Sequence, residues 1–211
     1  MNTLNYIVSK YNLNLREKPP IQIRNVGRNN LADLFRELGF TTGAEIGTER
    51  GLYAETLCKA NPKVKLFCID PWTTYPGYRD ILDQNYMKET YNEARDRLSA
   101  FNCKFIKAFS VDAVKKFADG SLDFVYIDGN HEYPYITQDM IEWSKKVRPG
   151  GIMAGHDYVT SNKSKPRNQV FWAVNGYMAA YNVRPWFVLG SKDVVPGEIR
   201  DKPRSWMLVK K

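Results

Sequence analysis

Short apolar, β-rich runs alternate with helical patterns along most of this chain. Two of these runs, residues 64–69 and 122–127, are each followed directly by an aspartate, Asp70 and Asp128. Strands separated by helices pair in parallel, because the chain must cross back over the sheet between them. The sequence therefore predicts a doubly wound α/β sheet whose carboxyl-terminal strand ends carry acidic side chains.

The pattern predicts one Rossmann-like, seven-stranded sheet that is mostly parallel. No helical pattern separates the last two strands, so we expect an antiparallel C-terminal hairpin at one edge. Residues 1–28 are Asn-rich and interrupted by Pro19-Pro20, and they are interpreted as an N-terminal extension that forms a lid or a dimer contact. Residues 29–211 are expected to form a single domain. The seven predicted strands are residues 42–47, 64–69, 103–108, 122–127, 152–157, 186–189 and 206–209.

Composition limits the location and the partners of the protein. In 211 residues with 43% hydrophobic content, no window approaches the roughly 18 apolar residues that cross a bilayer. Three cysteines cannot pair completely, and Cys58 and Cys68, which lie in apolar patterns, are expected to be buried thiols in a reducing, cytoplasmic compartment. The net charge is +8, and residues 158–211 carry ten Lys/Arg against three Asp/Glu. This basic segment keeps nucleic acid open as a partner, and the oligomeric state, including a homo-oligomer, is also left open.

A glycine-containing turn follows the first predicted strand. Gly47 and Gly51 permit unusual backbone angles and close packing there, and a helix N-terminus with free N–H groups follows. Asp70 ends the next strand, where a carboxylate can accept hydrogen bonds from both hydroxyls of a ribose. The spacing is not Gly-x-Gly-x-x-Gly, which argues against an NAD site. The turn and the acid together predict a nucleoside-containing ligand.

Both histidines of the chain lie within one window of 30 residues. His131 follows Asp128 by three residues, and His156 precedes Asp157. Histidine is the side chain whose ordinary pKa lies near neutrality. Histidines beside strand-end carboxylates indicate proton transfer or metal ligation at the carboxyl edge of the sheet.

These motifs, in this order, resemble class I S-adenosylmethionine-dependent methyltransferases. The resemblance rests on Glu45-x-Gly47-x-x-x-Gly51, on Asp70 and Tyr126-Ile127-Asp128, and on Arg148-Pro149-Gly150-Gly151. It implies that S-adenosylmethionine is the cofactor and that Glu45 lies near its methionine moiety. It also implies that Ser110 and Asp112 lie near the adenine and that Asp128 belongs to the cofactor site.

A narrower resemblance points to the metal-dependent sugar and macrolide O-methyltransferases and to the cephalosporin hydroxylase proteins. It is carried by the segments around Asp128-Gly129-Asn130-His131 and Gly155-His156-Asp157-Tyr158. It implies that Asp128 and Asp157 bind Mg²⁺ or Mn²⁺ and that His131 is the general base. His156 stands where those proteins have a second acid, which makes it a third candidate ligand and favours manganese or iron, or no metal, over magnesium.

We therefore expect an O-methyltransferase that acts on a hydroxyl of a small molecule or a sugar. Two alternatives remain at this stage: a nucleic-acid methyltransferase, suggested by the basic C-terminal segment, and a non-catalytic cofactor-binding protein. Aromatic and basic side chains near the predicted strand ends are candidates for acceptor contacts. They are Trp72, Tyr75, Tyr78, Tyr133 and Tyr158, and Lys163, Lys165 and Arg167.

Overall fold

A computed structural model describes residues 2–75, 83–160 and 168–211. Within these residues the strands are β1 (Ile21–Ile23), β2 (Thr42–Ile46), β3 (Lys65–Asp70), β4 (Cys103–Lys107), β5 (Leu122–Ile127), β6 (Val147–Tyr158), β7 (Phe187–Leu189) and β8 (Arg204–Val209). The helices are α1 (Thr3–Tyr11), α2 (Arg28–Glu37), α3 (Leu52–Ala60), α4 (Gln84–Arg97), α5 (Ser110–Ala113), α6 (Tyr133–Lys146) and α7 (Val170–Ala180). A 3₁₀ turn, Val114–Lys116, continues α5.

All of these strands belong to one mixed sheet in the order β1-β7-β8-β6-β5-β2-β3-β4. Only β8 is antiparallel to its neighbours, β6 and β7. The chain runs outward from β2 through β3 to β4 and then returns to place β5 on the other side of β2. This reversal between β2 and β5 is a topological switch point, where the carboxyl ends of parallel strands leave a crevice that binds ligands.

The predicted number of seven strands is wrong, because the described sheet has eight. The additional strand is β1, which pairs in parallel with β7 and occupies the edge where the hairpin was expected. Ile21 and Ile23 are buried and Gln22 between them is exposed. Three residues are too few for a reliable alternation signal, and this strand forms because its two isoleucines join the core under α2. The β7–β8 pair is antiparallel as predicted but lies inside the sheet.

Helices cover both faces of the sheet, and each face has its own core. One core contains buried side chains of α1, α2 and α3, among them Ile7, Phe35 and Leu57. The other contains those of α6 and α7, among them Trp143 and Val174. Burial on both faces explains why the central strands are apolar runs without alternation. Among the described residues, no helix combines the length and the apolar character that crossing a membrane requires.

Candidate active site

A cavity of about 750 Å³ opens at the switch point, above the carboxyl ends of β2, β3 and β5. Most of the residues that the sequence proposes for a site lie in its wall. They are Glu45, Gly47, Asp70, Ser110, Asp128, His131 and Asp157. The cavity thus joins the end of β2, where the glycine turn lies, to Asp128 and His131 after β5 and to Asp157 near the end of β6.

The glycine turn after β2 keeps the floor of this cavity compact. Gly47 has φ +89°, and a Cβ on it would lie 2.1 Å from the carbonyl oxygen of Asp128. A side chain at position 47 would therefore clash with the chain just after β5. Glycine is needed there for the close approach of the two strand ends, whether or not a ligand also requires it. Gly51, with φ +73°, is the N-cap of α3 and does not itself line the cavity.

Glu45 is a buried carboxylate that points into this end of the cavity. Its side chain is 2% exposed, and Oε2 has no hydrogen-bond partner among the described residues. Burial raises its pKa well above the ordinary value. A buried acceptor without a partner is costly, and a ligand that brings an N–H donor removes that cost. The methionyl ammonium of S-adenosylmethionine is such a donor, so this end of the cavity fits the cofactor.

Asp70 lies at the end of β3, beside the glycine turn. Its Oδ2 accepts the Glu49 N–H at 3.0 Å and its Oδ1 accepts the Trp72 N–H at 2.8 Å. Burial raises its pKa to about 6, against these two hydrogen bonds. Each carboxylate oxygen keeps accepting capacity, because one oxygen has two lone pairs. The arrangement suits a pair of donors such as the hydroxyls of a ribose.

Ser110 and Asp139, also in the cavity wall, form a buried hydrogen-bonded pair. The Trp143 indole Nε1 donates to Ser110 Oγ at 2.7 Å, and Ser110 Oγ in turn donates to Asp139 Oδ1. Burial raises the pKa of Asp139 to about 7, opposed by the Ser110 hydrogen bond. Asp112 does not line the cavity. It is exposed and pairs with Lys115 one turn along, so the structure gives no support to its assignment to the adenine.

Three side chains bring their donor atoms together: Asp128 and His131 follow β5, and Asp157 lies near the end of β6. His131 Nε2 lies 3.6 Å from Asp128 Oδ1 and 3.1 Å from Asp157 Oδ2. The candidate ligand atoms of these three residues all lie within 4.8 Å of one another. Two carboxylates and one imidazole suit a divalent ion such as manganese or iron, so the residues fit a metal.

The same geometry fixes the charges of the cluster. Burial lowers the pKa of His131, but the adjacent Asp128 and Asp157 outweigh burial and raise it to about 10. Burial raises the pKa of Asp157, but His131 and His156 outweigh it and hold that pKa far below the usual range. With no other cation on its carboxylates, His131 is therefore an imidazolium at neutral pH.

His156 lies behind this cluster. Its Nδ1 is 3.1 Å from Asp157 Oδ2 and 3.8 Å from Asp128 Oδ1, but it neither lines the cavity nor belongs to the converging set of donors. On the other side, Asn168 Nδ2 donates to Asp157 Oδ1 at 3.0 Å. These two contacts orient Asp157, whose backbone has the unusual φ of +60°.

The aromatic candidates divide between core and cavity. Trp72 is fully buried against Tyr91 and donates its indole N–H to Glu49 O, and Tyr158 is 4% exposed, so neither is available to stack on an acceptor. Tyr75 lines the cavity and accepts a hydrogen bond from Asn130, whereas Tyr133 is exposed outside the cavity wall. Tyr78, Lys163, Lys165 and Arg167 lie outside the described residues.

Asp139 and Arg28 are among the cavity residues that were not identified from the sequence. Asp139 interrupts the apolar face of α6 between Ile136 and Met140. A charged residue on a buried helix face is unusual, so the sequence pattern could have identified it. Arg28 begins α2, at the end of the segment interpreted as an extension, and no local pattern distinguishes it from a surface arginine.

A Rossmann-like sheet with this cavity at its switch point has the architecture of the class I S-adenosylmethionine-dependent methyltransferases. A family model described as "Methyltransferase domain" matches residues 44–158, and the chain belongs to that family. The chain is also 33% identical over 155 residues to "Uncharacterized protein R132" of Acanthamoeba polyphaga mimivirus. This alignment covers 71% of the chain and 64% of the relative, so the matched part is less than two thirds of the relative's length.

Solved methyltransferase structures share the fold at low sequence identity. An O-methyltransferase from Bacillus cereus, solved in complex with SAH, superposes with a TM-score of 0.63 at 16% identity, covering 99% of this chain and 90% of that one. The O-methyltransferase TomG from Streptomyces achromogenes, involved in tomaymycin synthesis and solved with SAM, gives 0.61 at 17% identity, covering 87% and 80%. At these identities the likeness establishes the fold.

Proposed function

We propose that the protein transfers a methyl group from S-adenosylmethionine to a hydroxyl of a small molecule or a sugar. One observation carries the proposal: a single cavity connects Glu45 and Asp70 to the Asp128–His131–Asp157 cluster. The cofactor supplies an electrophilic methyl group on a sulfonium. Family membership and the SAH- and SAM-bound neighbours support the cofactor, and the neighbouring O-methyltransferases support an oxygen acceptor.

Each end of the cavity contributes a different part of this reaction. Glu45 and Asp70 offer acceptors to the ammonium and ribose groups of the cofactor, and Ser110 with Asp139 lines the wall proposed for the adenine. At the other end, His131 takes the proton of the acceptor hydroxyl as that oxygen attacks. Asp157, held by Asn168, orients the imidazole through Nε2.

A base must be neutral before it can accept a proton, and the two carboxylates keep His131 charged. A divalent cation bound to Asp128 and Asp157 would offset their negative charge and lower the pKa of His131. We therefore include a metal site in the proposal, with these two carboxylates as ligands and His131 as the base.

Cofactor binding tests the first part of the proposal. Calorimetry with S-adenosylmethionine and S-adenosylhomocysteine should give dissociation constants in the micromolar range for the wild type. Transfer of labelled methyl groups to a panel of hydroxylated small molecules then tests the acceptor. Absence of binding at millimolar cofactor would overturn the assignment.

Manganese binding tests the second part and separates ligand from base. The paramagnetic resonance of free Mn²⁺ should decrease on addition of the wild type and of His131→Ala. It should not decrease with Asp128→Asn or Asp157→Asn. If His131→Ala also fails to bind Mn²⁺, His131 is a ligand and its role as base is wrong. If the wild type binds no Mn²⁺, the metal part of the proposal is wrong.

A further inference from the structure

Arg28 is a cavity residue with unusual surroundings. It is the first residue of α2, and its side chain is 36% exposed. The guanidinium makes no hydrogen bond to any described residue, and its ion pair with Asp128 is long, with Nη1 4.0 Å from Oδ2. A guanidinium has five N–H donors, so its partial burial without acceptors points to a missing partner.

The backbone around Arg28 is held firmly, in contrast to its side chain. Its peptide N–H donates to Asp201 Oδ2 at 2.5 Å, and its carbonyl oxygen accepts the Tyr53 hydroxyl at 2.8 Å. The guanidinium carbon lies 5.2 Å from the centre of the Tyr53 ring. The cation is therefore kept at the cavity wall by contacts that leave its N–H groups available to a ligand.

Arg28 and Glu45 lie at the same end of the cavity. Both adjoin one pair of neighbouring rings: the Arg28 guanidinium lies over Tyr53, the Tyr53 and Tyr126 ring centres are 4.3 Å apart, and Tyr126 is opposite Glu45 in the β2–β5 pairing. The His131 side of the cluster faces the other oxygen of Asp128, since His131 Nε2 is near Oδ1 and Arg28 near Oδ2. This end of the cavity thus presents the Arg28 cation and the buried acid Glu45, whose Oε2 has no hydrogen-bond partner among the described residues. Together they match the two opposite charges of a zwitterion.

We propose that Arg28 binds the carboxylate of the methionyl moiety of S-adenosylmethionine while Glu45 binds the adjacent ammonium. The proposal rests on the proposed function. It gives the segment before α2 a role in the site, because Asp201 fixes that segment against the cavity. Arg28 then contributes to cofactor specificity, because it recognises the α-amino acid group of S-adenosylmethionine.

Arg50 provides a matched control. It also lines the cavity, but its Nη1 is 2.7 Å from both carboxylate oxygens of Glu93, and its guanidinium lies over the Tyr86 ring. Its charge is therefore already neutralised within the protein. If positive charge in general favours cofactor binding, Arg50→Met should weaken the affinity for the cofactor as Arg28→Met does. If Arg28 recognises the cofactor carboxylate, the affinity should fall in Arg28→Met and not in Arg50→Met.

The test compares S-adenosylmethionine with decarboxylated S-adenosylmethionine, which keeps the sulfonium and the amine but lacks the carboxylate. Calorimetry on the wild type should give at least tenfold tighter binding of the intact cofactor. Arg28→Met should weaken the intact cofactor by about 10- to 100-fold and change the decarboxylated one by less than threefold, as expected for a lost charged hydrogen bond. Arg28→Lys should restore part of the difference.

Several results would overturn the assignment. Equal wild-type affinity for the two ligands excludes a carboxylate contact by Arg28 while leaving the proposed function intact. Equal weakening of both ligands in Arg28→Met, or the same pattern in Arg50→Met, indicates a general charge effect. Unchanged cofactor binding in Arg28→Met would move its partner to the acceptor. A wild type that binds neither ligand overturns this inference and the proposed function together.

Folding of the variant can be checked independently. Arg28→Met keeps the peptide N–H and the carbonyl oxygen that Asp201 and Tyr53 contact. The ligand-free variant should therefore unfold within a few degrees of the wild type. A larger loss would mean that the side chain is structural, and Arg28→Lys, which keeps the charge, would then carry the comparison.

Discussion

The two ends of the cavity shift the pKa of carboxyl groups in opposite directions. At the end formed by β2, β3 and α6, burial dominates and raises the pKa of Glu45, Asp70 and Asp139. At the other end, Asp157 is also largely buried, but two histidines lower its pKa. The difference arises from the partners, which are neutral N–H and O–H groups at the first end and imidazolium at the second.

This contrast separates binding from chemistry. Carboxylates with neutral partners keep the capacity to accept hydrogen bonds from a ligand. Asp157, paired with histidine, keeps its charge and raises the pKa of the His131 ring. We therefore expect substitutions at the first end to change affinity or stability, and substitutions at the second to change turnover.

The largest effect is expected at the second end. His131→Ala should lower kcat by about 10²- to 10⁴-fold, the usual contribution of a general base, and leave the dissociation constant of the cofactor within threefold. The measurements are steady-state kinetics with an identified acceptor and calorimetry with S-adenosylhomocysteine. His156→Ala is the matched control, since this ring contacts the same carboxylates without lining the cavity, and its loss should be smaller. Equal losses in the two variants would contradict the contrast.

A stability effect should follow from Asp139 at the first end. Its folded pKa of about 7 exceeds the ordinary 3.8, so the stability that protonation contributes is complete below about pH 4 and is lost as the pH rises through 7. Asp139→Asn keeps an acceptor for Ser110 and cannot ionise. It should stabilise the ligand-free protein by roughly 2–4 kcal/mol at pH 8. Urea denaturation at pH 5 and pH 8 measures this, and a gain that is larger at pH 5 would be the wrong sign.

Cofactor affinity should depend on the ionisation of Asp70. Because burial raises its pKa to about 6, lowering the pH below 6 protonates the carboxylate and removes acceptor capacity for the ribose. Asp70→Asn should weaken cofactor binding by about 10- to 100-fold at pH 8 and reduce the dependence on pH. Calorimetric titrations from pH 5 to 8 test this. An unchanged pH profile in the variant would assign the titration to another group.

The smallest effect is expected for Asp112, which the sequence assigned to the adenine and the structure does not place in the cavity. Its carboxylate is exposed and pairs with Lys115 at 2.8 Å, and exposed ion pairs of this kind contribute little. Asp112→Ala should change cofactor affinity by less than twofold. A loss comparable to that of Asp70→Asn would return Asp112 to the site and weaken the distinction between the two ends.

The features that depend on short stretches of the chain could be predicted from the sequence. The strand-end positions of Asp70 and Asp128, the glycine turn at Gly47 and the alternation of strands with helices can all be recognised from short stretches of chain. Parallel pairing then requires these ends to meet at one edge of the sheet. This is why the α/β class, the family and the general position of the candidate site could be predicted without a structure.

Other features depend on distant contacts that no short stretch encodes. Strand β1 forms because two isolated isoleucines join the core of a distant part of the chain, and Arg28 enters the cavity because Asp201, 173 residues away, holds its backbone there. The charge of His131 is set by Asp128, three residues earlier, together with Asp157 from the neighbouring strand β6, and only the first of these is near in sequence. Sequence order determined which groups stand at the strand ends; burial and packing in three dimensions decided which of them face one another and in which protonation state.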